Sequence, residues 1–162
     1  MVGIRPLGIP VALGAPPGAS IEIEAGPETL RAAVRAMLRD APAVFELVGE
    51  RIRFAASKQR DATPRITYTV PSSQAWSDLD GATGTDEARV RVSAWADGSV
   101  RAEALAAAVR AALDGFKGQV GRVWVESAAW LQDVDLPEPS RGGRDASIYQ
   151  IASDFSFIYR LP

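Results

Sequence analysis

The chain contains neither histidine nor cysteine. Without imidazole it lacks the commonest general base and the commonest nitrogen ligand for a metal, and without a thiol it has no disulfide, no thiolate nucleophile and no thiolate zinc site. The usual nucleophilic triads cannot be assembled from what is left. A cysteine-free chain suits a reducing compartment. Charge is also scarce in net terms: 18 basic side chains face 20 acidic ones, for a formal balance of −2. No broad positive field is available to displace counterions from nucleic acid or to draw the chain onto an anionic membrane. Long apolar runs are missing as well. A helix needs roughly 20 apolar residues to cross a bilayer, and Pro6, Pro10, Pro16 and Pro17 break the one apolar stretch near the start.

What is present is a core. Of 162 residues, 47% are hydrophobic, enough to bury a single domain's interior at this length. Residues 1–27 carry glycine and proline at intervals too short for regular structure, apart from a short strand expected at Ser20 to Glu24, and read as an extended N-terminal arm. Residues 28–162 read as one domain.

Periodicity then sets the elements. Leu30, Val34, Met37 and Leu38 recur at helical spacing between Glu28 and Arg39, and Asp40-Ala-Pro ends that helix. A further helical turn is expected at Ala43 to Val48, closed by Gly49, and a short strand at Arg51 to Ala55. In Arg65 to Val70, Ile66, Tyr68 and Val70 alternate with Thr67 and Thr69, as in a half-buried strand. Asp78 to Asp86 is glycine-rich and acidic and reads as a hairpin loop. The next strand, Asp86 to Ala96, sends Val90, Val92, Ala94 and Ala96 one way and Arg89, Arg91, Ser93 and Trp95 the other. A second main helix follows from Arg101 to Asp114, with Ser99 as its expected cap, Ala102, Leu105, Ala106, Val109 and Leu113 as its stripe, and Gly115 as its stop. Two strands complete the pattern, Arg122 to Gln132 and Ser147 to Leu161, joined by a loop from Asp133 to Asp145. The class is α+β: an antiparallel (mixed) sheet with two main helices packed on one face, plus the arm.

Candidate chemistry is thin. Asp78, Asp80, Asp86 and Glu87 lack the alternation, sixth-position glycine and closing glutamate of a calcium loop. Asp133, Asp135 and Glu138 offer a carboxylate pair only in the way that loop acids generally do. Gly81-Ala-Thr-Gly is followed by no lysine with a serine or threonine, so it is no phosphate loop. We therefore assign no catalytic residue, cofactor or metal. Arg89, Arg91 and Trp95 share one strand face. That trio suits a contact with another subunit, or a single-stranded nucleic acid stacked on the indole, or simply solvated arginines beside a tryptophan that covers a helix. Ile4, Leu7, Ile9 and Val11 are apolar residues on an arm with little core of its own, and we expect them against a neighbouring subunit or partner.

Several segments together resemble the phage tail-completion (tail-terminator) family of long-tailed phages and gene transfer agents. They are Leu47-Val-Gly-Glu-Arg-Ile, Pro64-Arg-Ile-Thr-Tyr, Arg89-Val-Arg-Val-Ser-Ala-Trp, Ala106-Ala-Ala-Val-Arg-Ala-Ala-Leu-Asp-Gly and the final aromatic strand, in that order over Glu28 to Arg160. The arm and the length of the loop at Asp133 to Asp145 depart from the pattern. The resemblance implies a structural, non-enzymatic virion protein assembled in the host bacterial cytoplasm. It implies a homo-oligomeric ring, hexameric in the family, at the head-proximal neck of the tail, stopping tube growth and joining the tail tube protein to the head-tail connector or stopper. DNA passes through such a ring without specific binding, and no membrane is involved. The rival readings are a head-side connector or neck protein, a single-strand nucleic-acid module using Arg89, Arg91 and Trp95, and a carboxylate-dependent enzyme.

Overall fold

The computed structural model describes residues 26–56, 62–137 and 148–162. Helix α1 spans Leu30–Asp40. The Thr29 hydroxyl accepts a hydrogen bond from the Ala32 amide at 3.2 Å, filling one of the donors that a helix start leaves open. Leu30, Ala33, Val34, Met37 and Leu38 are buried on one face, as their spacing requires. Proline ends the run and starts α2, Pro42–Val48, which stops at Gly49 with φ 54°. Helix α3, Ser99–Leu113, buries Ala102, Leu105, Ala106, Val109 and Leu113. Ser99 is the first helical residue and not the cap; Gly98 holds that position at φ 130°, with no side-chain bond to the helix start.

The strands are β1 (Ile52–Phe54), β2 (Arg65–Asp78), β3 (Gly81–Ala96), β4 (Gly118–Val120), β5 (Val123–Pro137) and β6 (Tyr149–Arg160). They form one six-stranded sheet in the order β1-β2-β3-β6-β5-β4. All pairings are antiparallel except that of β1 with β2, so the sheet is mixed and the fold is α+β. The register explains the core. Val90 faces Phe155 and Ala88 faces Phe157 across β3 and β6, Val92 faces Tyr68 across β2 and β3, and Val125 faces Tyr159 across β5 and β6. These side chains lie on the helix-covered face, where Phe155, Phe157, Leu38, Leu105 and Leu113 are fully buried.

The strands depart from the sequence reading in length. β2 continues through Pro71 to Asp78 and β3 begins at Gly81, so most of the expected loop at Asp78 to Asp86 is a paired hairpin whose tip is Leu79 and Asp80. Both faces of this hairpin are exposed beyond Pro71 on β2 and before Thr85 on β3, so no burial alternates there to mark a strand. β5 likewise runs past Gln132 to Pro137, which puts Asp133 and Asp135 on a strand facing Ser153 and Ile151. β4 is three residues with no apolar pattern and went unforeseen. The loop at Ser57 to Thr63, the later part of the one at Asp133 to Asp145, and the arm with its strand at Ser20 to Glu24 fall largely or wholly outside the described residues.

Candidate functional site

One face of the sheet is covered by helices; the other is open and polar. Its centre is Asp154 on β6, whose side chain is 0% exposed although it sits on the uncovered face. Burying a carboxylate is costly unless its oxygens are paired. Here Arg91 on β3, directly opposite in register, donates from Nε to Oδ1 at 2.7 Å and from Nη2 to Oδ2 at 2.9 Å. Arg89 Nη2 reaches Oδ2 at 3.3 Å, and Gln132 Nε2 donates to the same oxygen at 3.1 Å. The two arginines roof the acid while remaining 46% and 43% exposed themselves. Hydrogen bonding from Arg91 outweighs burial and holds the carboxyl below the usual aspartate range.

Other polar groups fill the face around this clasp. Glu87 accepts from Gln74 Nε2, Trp76 Nε1 and Ser156 Oγ. Trp95 Nε1 donates to the Thr67 hydroxyl at 2.9 Å, which explains why Thr67 is buried on a face expected to be wet. The Arg65 guanidinium lies 5.0 Å from the Trp95 ring centre. A shallow hollow of about 300 Å³ lies beside Arg89, lined also by Ser72, Gln74, Glu87, Leu131 and Ser156.

The structure thus brings Arg89, Arg91 and Trp95 onto one face, as their parity required, but gives them different work. Both arginines are turned toward Asp154, and Trp95 covers no helix, because it shares their face of the sheet and the helices cover the other. Sequence reasoning missed Asp154, which reads as one polar residue between Ser153 and Phe155; the signal available was its parity, opposite that of the buried aromatics. Ile4, Leu7, Ile9 and Val11 lie outside the described residues. Among the described residues no three acidic side chains converge as a metal site. Asp78 instead accepts a hydrogen bond from the Asp80 amide at 2.9 Å, closing the hairpin turn, and Asp133 accepts one from Trp130 Nε1 at 3.0 Å. No described helix is long and apolar enough to cross a membrane.

The first described residues, Gly26 to Glu28, are pinned to the far edge of the sheet. Arg122 donates its amide to the Pro27 carbonyl at 2.9 Å and pairs through its guanidinium with Glu28 at 2.7 Å. Gly26 and Gly121 cross there so closely that a Cβ on Gly26 would lie 2.6 Å from the Gly121 Cα.

Comparisons with known proteins match this architecture. A family profile described as tail completion protein gp17 matches residues 32–160. Among solved structures, a chain from the virion of a native gene transfer agent particle is similar, with 23% sequence identity and a TM-score of 0.66. The alignment covers 87% of this chain and 99% of that one, which shows a shared fold. Among curated proteins none matches.

Proposed function

The chain belongs to the tail completion protein gp17 family, and from that premise we propose that it is a tail terminator, a ring that closes the head-proximal end of a tail tube. Membership makes it a structural protein of a phage-type tail, within a family of virion components and not of enzymes. The finer reading is that copies of the chain assemble into a hexameric ring, stop polymerisation of the tube protein and offer a surface to the head connector or stopper. DNA then passes through without specific binding, in keeping with a net charge of −2.

The observation that carries this reading is the extent of the family match, which runs from the first turn of α1 to the end of β6 and so takes in the whole described sheet and nearly all of its helices. A virion chain with the same fold supports it. We divide the chain into an arm, residues 1–27, and a folded unit, residues 28–162. The arm places Ile4, Leu7, Ile9 and Val11 against a neighbour. Arg89, Arg91 and Trp95 belong to the open face by which the unit meets a partner, with both arginine side chains still part-exposed above Asp154.

Negative-stain electron microscopy of the purified protein tests the ring, with annuli about as wide as a tail tube as the expected result. Adding the protein to polymerising tube subunits should then give shorter tubes capped at one end. A lone monomer that leaves tube length unchanged would overturn the reading, and association with DNA-filled heads in place of tubes would move the protein to the head side of the neck.

A further inference from the structure

The hairpin of β2 and β3 outruns the sheet. β6 pairs with β3 only as far as Asp86, opposite Tyr159, so the strands beyond it stand alone as a two-stranded finger. At its tip Leu79 is fully exposed, Trp76 behind it is 42% exposed, and Asp78 and Asp80 flank the leucine. Neither aspartate takes part in an ion pair among the described residues. An isolated two-stranded ribbon gains little stability from its own contacts, and an apolar side chain at its very end gains none. The tip of this finger touches little of the fold that holds it.

A complementary surface exists on the same chain. Arg31 and Arg35, one helical turn apart on α1, are exposed and also take part in no ion pair among the described residues. The Arg31 guanidinium lies 4.5 Å from the ring centre of Phe54, which is 40% exposed on edge strand β1 and packs edge-on against Tyr68 at 5.4 Å. The patch is a part-exposed aromatic ring under the Arg31 guanidinium, with a second exposed cation, Arg35, one turn along the same helix, and the finger is an exposed aliphatic side chain flanked in sequence by two anions.

The two cannot meet within one molecule. Phe54 pairs with Tyr68, and from Tyr68 to Asp78 the strand runs away for about ten residues, roughly 30 Å at the rise of an extended chain. Resting on the ring reading above, we infer that the hairpin tip of one copy docks on the Arg31, Arg35 and Phe54 patch of a second copy. Each copy then offers one finger and one patch, two different surfaces, which is the heterologous contact that propagates from subunit to subunit and closes when the rotation returns to its start. Leu79 covers Phe54, and Asp78 and Asp80 pair with Arg31 and Arg35.

Charge reversal tests this, read by native mass spectrometry and sedimentation velocity on the full chain. One variant carries Asp78→Asn with Asp80→Arg; the asparagine keeps the side-chain acceptor that closes the turn. The other carries Arg31→Glu with Arg35→Glu. Each alone should dissociate at concentrations at least about tenfold above wild type. Mixed in equal amounts they should reassemble, because a basic finger then meets an acidic patch while the wild-type pairing survives at alternate interfaces. One chain carrying all four substitutions should assemble by itself, which separates lost contact from lost folding. Intact rings from both variants would end this inference and leave the ring reading standing. Weakened variants that neither mixture nor the four-substitution chain restores would show that the two surfaces do not touch. A monomeric wild type would remove the ring reading, and this contact with it.

Discussion

At the scale of single residues, Asp154 carries the most consequence. It is a buried carboxylate on the uncovered face of a sheet, and three donors from two neighbouring strands hold it there. Its folded pKa is depressed, so the unfolded chain binds a proton more readily than the folded one in the range between the two values. The stabilisation is therefore complete above the ordinary aspartate pKa and is lost as pH falls through the lower folded value. Asp154→Asn should cost about 2 kcal/mol at pH 7, since an amide cannot accept the paired bonds from Arg91 and leaves that guanidinium less satisfied. Urea midpoints of the two proteins should converge as the pH falls below the ordinary aspartate range and through the lower folded value; a gap that stays constant down the titration would show that the carboxylate charge is not what stabilises. Gly121 is the second position of this kind. Its φ is +60° and any Cβ there would strike Pro27, so Gly121→Ala should lower the melting temperature by several degrees and loosen the residues just after the arm. Limited proteolysis near Gly26 measures the second effect.

Among the elements, helices were easier to read than strand ends. The stripe Leu30, Val34, Met37 and Leu38 located α1 because a period near 3.6 survives wherever one helix face is buried. The hairpin was expected at Asp78 to Asp86 but the length of its strands was not, since from Pro71 outward neither face of β2 is buried and glycines mark the opening of β3. That same exposure predicts that the finger is dispensable for folding. Replacing Trp76 to Thr85 with an Asn-Gly turn joins Ala75 to its register partner Asp86. The shortened chain should keep its circular dichroism spectrum and melt within a few degrees of wild type, while losing self-assembly. A large loss of stability would place the finger in the fold and not in a contact.

For the whole molecule, the prediction concerns the arm. Because the described fold is already tethered at Pro27 and Glu28 by Arg122, removal of Met1 to Gly18 should leave melting unchanged and weaken ring formation or tail joining. Unaltered assembly on truncation would dismiss Ile4, Leu7, Ile9 and Val11 as contacts. The sequence by itself determined the α+β class, the identity of most core residues and the poverty of catalytic groups, because burial periodicity and residue inventory are properties of the chain read in order. It also placed Arg89, Arg91 and Trp95 on one face, because side chains on a strand alternate. Only the tertiary structure decided that β1 runs parallel to β2, that Asp154 waits beneath the two arginines, and that a bare hairpin extends past the sheet. Each of those depends on which strands become neighbours and where their pairing stops, and that is settled by contacts between residues far apart in the chain, which no local pattern encodes.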